Sequence, residues 1–556
     1  MNSVLLLVVL PFAGALAAMF GKLTRHETLF SVLAYLPVAA MAVLLVLQAP
    51  IVLHGATGVY ELGGWAEPYG IGLHLNGLSW LSSALVVVIG AAVVLVSLAD
   101  RRYRSHYAFF LMLLIAGMEV VVLTGDIFTM FVGFEIVAIS AYVLIAFDRT
   151  DDGLLASLKY LLLSSVGILF FLFGVFLVYR DFGALSLAVI RSSVDTPDLA
   201  RTTSIHVAVA TLCVGIGVRT AFMPFHTWLP EAHAYAPHPV SAILSGVLIK
   251  VSFFAMMRIL VTFRAAYLNG LLLWIGAVTA LLAVIWALAQ TDAKRLLAYH
   301  SISQMGYVLA AFGAATAIST TAAFAHAVHH ALFKSLLFIV AGTAISMTGT
   351  RNLYEMEPIG RRSPLLAVSF IVGAFSIAGV PPFNGFASKQ LISQALAGHP
   401  AYALLWITAV GTTASFIKIS RIVAPGPRPA SPGSCADDST RKRGPGPLVT
   451  VPVAVLGLLC LATGLFARPI AETLARLLAG SPVGADAAAV PTSFFGLAKL
   501  ASALPILALG VALYLAIRTP FGRSTAHRIE RVAPELRTVL LFFVFGLGLF
   551  TLVAYL

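Results

Sequence analysis

Ionisable side chains interrupt stretches of this sequence that are otherwise apolar. Glu135 lies in TMFVGFEIVAISAYVLIAF, with no other charge between Asp126 and Asp148. His326, His329, His330 and Lys334, in AFAHAVHHALFKSLLF, fall at i, i+3, i+4 and i+8, nearly one stripe of a helix. Lys250 sits roughly ten residues into its apolar run, too deep for its ammonium to reach an interface easily. Arg219 and Lys389 each stand next to a proline-broken segment, GVRTAFMPFHTWLPEAH and IAGVPPFNGFASKQL. Histidine relays protons near neutral pH. A desolvated lysine can release a proton, whereas arginine keeps its charge. The chemistry these types would support is proton transfer along a polar row. Glu119 in AGMEVVVLTGD, His226 in MPFHTWLP and His329 are additional candidates. The competing readings are core histidines bonded to backbone carbonyls, and ordinary proline kinks. No carboxylate or cysteine lies in the histidine segment to complete a metal site.

Such a row needs a frame that holds charge away from water. Of 556 residues, 60% are hydrophobic and 10% charged, against about 25% charged in ordinary soluble domains. That excludes a soluble globular enzyme. Apolar runs near the ~20 residues that cross a bilayer recur roughly sixteen times, the first near 3–20 and the last near 538–556. An all-α polytopic membrane protein is predicted, with about 14–16 transmembrane helices. The net charge of +12 falls mostly between runs, in alternate loops such as those with Arg101, Arg102 and Arg104, or Arg351, Arg361 and Arg362. That bias predicts an even number of spans with both termini outside, and no nucleic-acid partner. The first run has no Lys or Arg before it, so a retained span is expected rather than a secretory signal. Cys213, Cys435 and Cys460 are far apart, so neither a disulfide framework, a structural zinc nor an iron–sulfur cluster is expected. A charge at mid-bilayer costs roughly 2.5–3.5 kcal/mol, and broken backbone at that depth is tolerated only inside protein or against a cavity. Paired broken helices with a cation beside each point to an internally repeated transporter fold.

At these residues the sequence resembles the antiporter-like subunits shared by respiratory complex I, group 4 membrane-bound hydrogenases and Mrp-type Na+/H+ antiporters. The resemblance covers roughly residues 70–420 and rests on TGDIFTMFVGFEIVAISAYVLI, MPFHTWLPEAH with PVSAILSGVLIK, DAKRLLAYHSISQMGY, HHALFKSLLF and GVPPFNGFASKQLI. GTRNLYEMEPIGRR looks closest to the D-type member of the Mrp antiporters and to the large membrane subunits of the hydrogenases. The resemblance implies two inverted five-helix repeats, each with a discontinuous helix and a half-channel, joined by a central polar axis. The chain would then divide into N-terminal spans (1–105), a first repeat (106–262), a second repeat (263–424), a cytoplasmic linker (425–447) and C-terminal spans (448–556). It implies that Glu135 pairs with a cation on the first broken helix, that Lys250 is the central lysine, and that His326, His330 and Lys334 connect it to Lys389 on the second. The departure is Arg219, where the family usually has lysine.

The expected function is that of a proton-translocating subunit, with sodium as the rival ion, in a redox-driven complex of a bacterial or archaeal plasma membrane. The alternatives are a D-type component of an Mrp antiporter, or the proton-conducting partner of another uptake system. No nucleotide fingerprint, cluster ligand set or haem motif appears in the sequence. Catalytic residues and cofactors are therefore expected in partner subunits, membrane or peripheral, and none in this chain.

Overall fold

The structure, a computed structural model, describes residues 2–24, 26–194, 203–423 and 444–531, with 548 and 552. Most of the predicted linker and nearly all of the predicted last span lie outside the described residues. α1 (Asn2–Leu23), α2 (Glu27–Leu33) and α3 (Leu36–Leu53) lead into an antiparallel hairpin of β1 (Gly58–Glu61) and β2 (Gly72–Leu75), with Val59 opposite His74. α4 (Gly77–Leu98) starts at a capping box, where the Asn76 side chain accepts from Leu78 N and Ser79 N.

Next come α5 (Ser105–Leu123), α6 (Ile127–Ile145), α7 (Asp151–Phe182) and the short surface helix α8 (Leu187–Val194). A discontinuous helix follows, α9 (Thr203–Thr220) and α10 (Trp228–Tyr235). α11 (His238–Ile243) and α12 (Ile249–Thr262) close the group, joined by a π turn at Leu244–Leu248. The order then recurs: α13 (Asn269–Ala289), α14 (Ala293–Gly313), α15 (Ser319–Thr348), a second discontinuous helix, α16 (Pro364–Ala378) and α17 (Asn384–Ala395), and α18 (Ala401–Ile419). Outside these groups lie α19 (Pro447–Leu465), α20 (Ala467–Ala479), α21 (Leu497–Ile517) and α22 (Pro520–Arg531).

Among the described residues, 13 helices are long and apolar enough to cross a membrane. α14 falls short of that apolarity because it carries Lys294, Arg295, His300 and Gln304. Its neighbours bury it almost completely, so it crosses inside protein rather than against lipid. The predicted span 365–394 divides into α16 and α17. The start of α17 lies so close to the end of α16 that a Cβ on Gly385 would sit 1.7 Å from Ser376 O.

The two groups repeat in detail. Asp126 caps α6 through Thr129 N, and Asp292 caps α14 through Lys294 N and Arg295 N. α7 ends on Gly183 and α15 on Gly349, both left-handed. Asp126 then pairs as an isolated bridge with Ser186, and Asp292 with Asn352. One sequence offset relates the aspartates, the glycines and the bridge partners. An odd number of crossings separates the two aspartates, so the bridges lie on opposite faces, as inverted repeats require. Asp126 shares its face with the β1–β2 hairpin. Asp292 shares the other with the arginine-rich loops, the basic face.

The match extends to two buried cations. Arg258 of α12 donates to Val121 O and Val122 O, each at 3.1 Å, and to Thr124 O, at the C-terminal end of α5. Lys418 of α18 donates to Leu288 O (2.7 Å) and Gln290 O (2.6 Å) at the corresponding end of α13. Each satisfies carbonyls that a helix end leaves unpaired, where the helix dipole favours a positive charge. Replacing Arg258 by Leu leaves those carbonyls buried without donors. A loss of about 2–4 kcal/mol is expected, read as earlier thermal unfolding and faster amide exchange at the end of α5.

The hairpin is tied to the first repeat by Glu67, whose carboxylate accepts from Ser186 Oγ (3.1 Å) and bonds His74 Nε2 (2.8 Å). The His74 hydrogen bond holds the Glu67 pKa below the usual glutamate value, against the opposing effect of burial. This contribution is complete above the ordinary glutamate pKa of about 4.3 and is lost as the pH falls through the lower folded value. Amide exchange in β1 and β2 should therefore accelerate below about pH 4 and stay flat between neutral pH and that point. Glu67→Gln should remove the dependence.

Candidate ion pathway

At one end of the row, Arg219 stands in the last turn of α9, where the helix dipole favours a cation. It donates to Phe134 O (2.9 Å) and to Glu135 Oε1 (2.9 Å) on α6. The pair is asymmetric: the side chain of Arg219 is 2% exposed, that of Glu135 36%. Glu135 therefore reaches the rim of the chain at membrane depth, where a carboxylate needs cover from other protein. The break after α9 is held by Trp228 Nε1, which donates to Val218 O (2.7 Å), and by Met223 N, which donates to Thr279 Oγ1 (3.2 Å).

Lys250 is fully buried at the start of α12. Its Nζ donates to Ser245 O inside the π turn, where the widened helix leaves its carbonyls more accessible. Ser245 Oγ meets Ser301 Oγ of α14 at 2.7 Å. The same turn presses on α15, since a Cβ at Gly246 would lie 2.1 Å from Ser335 Oγ. Next to Ser335, Lys334 donates to Leu297 O of α14 and lies 5.3 Å from the Phe338 ring centre. Lys250 and Lys334 thus come to the junction of the two repeats, each bonded to a carbonyl and neither to a carboxylate.

From Lys334 the stripe continues through His330 and His326, whose rings stack with centres 6.4 Å apart. His326 bonds Gln304 Oε1 of α14 (3.0 Å) on one side and Ser388 Oγ of α17 (2.9 Å) on the other. Lys389 follows Ser388. It reaches back across the break to Ile377 O, at the end of α16 (2.7 Å), with its ammonium 5.4 Å from the Tyr307 ring centre. Both breaks therefore place a cation at the C-terminal end of the first half-helix. Between Arg219 and Lys250 the connection is packing of α9 on α12, not a hydrogen bond.

The remaining candidates lie elsewhere. Glu119 is fully buried and accepts from Ser83 Oγ of α4 (2.6 Å), outside the row. His329 is buried off the stripe. His226 stacks on Trp286 with ring centres 5.5 Å apart and lines a cavity of about 90 Å3 with Glu231 and Arg295. Near it Lys159 of α7 pairs with Glu231 at 2.7 Å.

Two histidines join the row that the sequence reading did not assign. His300 of α14 and His233 of α10 are fully buried, and neither ring has a protein hydrogen-bond partner. His330 shares that condition, and buried polar groups of this kind are those that interior water serves. His233 stacks on Phe338 at 4.7 Å, opposite Lys334. In DAKRLLAYHSISQMGY, His300, Gln304 and Tyr307 fall at i, i+4 and i+7, a single helix face that could have been read directly.

Residues 124–417 match the family described as NADH:quinone oxidoreductase/Mrp antiporter, transmembrane. The N subunit of the NADH-quinone oxidoreductase of Desulforudis audaxviator is 31% identical over 491 residues, 84% of this chain and 96% of that protein. The D subunit of the Na(+)/H(+) antiporter of Alkalihalophilus pseudofirmus is 30% identical over 428 residues, 75% and 86% of the two chains. A chain in the structure of an archaeal respiratory complex, the membrane-bound sulfane sulfur reductase, superposes with a TM-score of 0.78 at 26% identity, covering 87% of this chain and 98% of that one. With its repeated broken helices and the buried row between them, this chain belongs to the NADH:quinone oxidoreductase/Mrp antiporter transmembrane family.

Proposed function

We propose that this chain is a proton-translocating subunit of a multi-subunit complex in a bacterial or archaeal plasma membrane, driven by redox chemistry in partner subunits. The observation that carries this reading is the row from Arg219 through Lys250, Lys334, His330 and His326, all buried, to the half-buried Lys389, which spans both repeats. Lys250, Lys334 and Lys389, each bonded to a carbonyl and none to a carboxylate, are costly to keep charged in an apolar body, which fits a role in which their charge is exchanged. The Glu135–Arg219 pair acts as the switch. An ion pair at about 4 Å in an effective dielectric of about 20 has about 4 kcal/mol of Coulomb energy before desolvation costs. Each pKa unit is about 1.36 kcal/mol, so about a third of the pair's energy, felt at a neighbouring group when the pair opens, is enough to change its proton affinity by a unit. That change passes from Lys250 to Lys334 and the histidines and ends at Lys389. Arg219 is the fixed counter-charge, and protons enter by water at Lys250.

Relatives of both an oxidoreductase and an antiporter kind support a second reading, cation/proton exchange without redox chemistry. Purified complex in proteoliposomes, with pH- and sodium-sensitive dyes and electron donors added in turn, separates them. Donor-dependent acidification supports the pump; sodium-driven acidification without a donor supports exchange. Neither signal from assembled complex refutes both.

A further inference from the structure

Beside Lys389, between α17, α18 and α21, lies a cavity of about 180 Å3 to which Gln390, Ser393, Tyr402, Trp406 and Ser502 contribute. α17 runs from the break toward the hairpin face, so the cavity extends from the ammonium in that direction. At its far side an open cup of about 620 Å3 reaches the loop at Gly398–Pro400. Tyr402 and Trp406 line both spaces, so these two rings are all the shared wall that α18 contributes.

The inner cavity is also lined by α21, which belongs to neither repeat, through Ser502, Ala503, Ile506 and Leu507. It is fixed unevenly. At Gly510 it packs so tightly that a Cβ would sit 2.5 Å from the Thr413 side chain, whereas near the cavity its polar tie to α17 is a long Gln390 Nε2–Ser502 Oγ contact of 3.4 Å. Between them Pro505 removes a backbone donor from the helix, the usual cause of a kink. Most of the helix otherwise faces outward; Leu504 is 64% exposed. A wall anchored at one end, with a weak point beside the cavity, can move there without unpacking the repeats.

We propose that Tyr402 and Trp406, closed against Ser502 of α21, form the gate through which a proton leaving Lys389 reaches the hairpin face. This rests on the proposed pathway and adds its exit. The ammonium passes its proton to water in the cavity and remains as a neutral amine until the row reloads it. Movement of α21 at Pro505 opens the partition.

The test uses purified complex in proteoliposomes carrying Ser502→Cys, treated from the hairpin face with the membrane-impermeant thiol reagent MTSES. Labelling should lower transport at least about tenfold, as an added barrier of about 1.4 kcal/mol would, and dithiothreitol should restore it. Wild type, whose Cys213 and Cys460 are buried, is the reagent control. Stoichiometrically labelled protein at full rate, or a cysteine the reagent never reaches, overturns the gate. Trp406→Ala should raise the passive proton leak at least about fivefold, about 1 kcal/mol of barrier; an unchanged leak in assembled complex counts against the partition. Lys389→Ala in the same preparation separates the two ideas. If it is inert while labelled Ser502→Cys runs freely, only the gate is wrong; if Lys389→Ala transports normally, the pathway itself falls.

Discussion

Complex carrying Lys250→Ala is expected to assemble at wild-type level and to lose coupled transport by at least about a hundredfold, equivalent to roughly 2.7 kcal/mol of barrier. The expectation of normal assembly comes from its contacts. Lys250 is fully buried, and its ammonium bonds a carbonyl in its own helix turn. No carboxylate depends on it, so removing it strands no buried counter-charge, the usual source of large losses when an ion pair is broken. What the proposed pathway loses is its exchangeable charge at the junction of the repeats. Lys250→Arg sharpens the test, because arginine keeps the charge but cannot give up its proton. It should be as inert as Lys250→Ala. Full transport by assembled Lys250→Arg would show that protons do not pass through this position.

The second large effect is expected at the rim. Arg219→Ala should reduce transport at least about tenfold, because Glu135 then sits at membrane depth without its cation. Arg219→Lys should remain within about twofold, less than 0.5 kcal/mol of barrier, because a fixed positive charge is what the position supplies. Glu135→Gln should match Arg219→Ala, and the double variant should be no worse than either, since two residues acting as one unit are not additive. Normal pumping by assembled Arg219→Ala, measured with the same dyes, would remove the pair from the mechanism.

Much of this architecture was legible because lipid leaves the sequence few choices. Runs of apolar residues at bilayer length had to be helices, and the segments around Pro224 and Pro230, and Pro381 and Pro382, marked where two of them break. The stripe of His326, His330 and Lys334 needed only helical spacing. Other features rest on partners distant in sequence. Arg258 and Lys418 stand in apolar runs with nothing nearby in sequence to show their role, and only the contacts to α5 and α13 make them helix caps. The β1–β2 hairpin lay unread in the loop between spans because its strands are short and its tie runs from Glu67 to Ser186. His300 was missed for a different reason. It stands in a segment used only as a family motif and not read as a helix face.

The two caps also bear on what the protein can do repeatedly. Arg258 and Lys418 brace the ends of their repeats through main-chain oxygens, and no titrating member of the row takes part. On the proposed pathway, charges that hold the scaffold together are thus separate from charges that come and go. Each turnover can empty and refill the interior without loosening its supports, so wear from cycling falls on side-chain rotamers and water rather than on the helices.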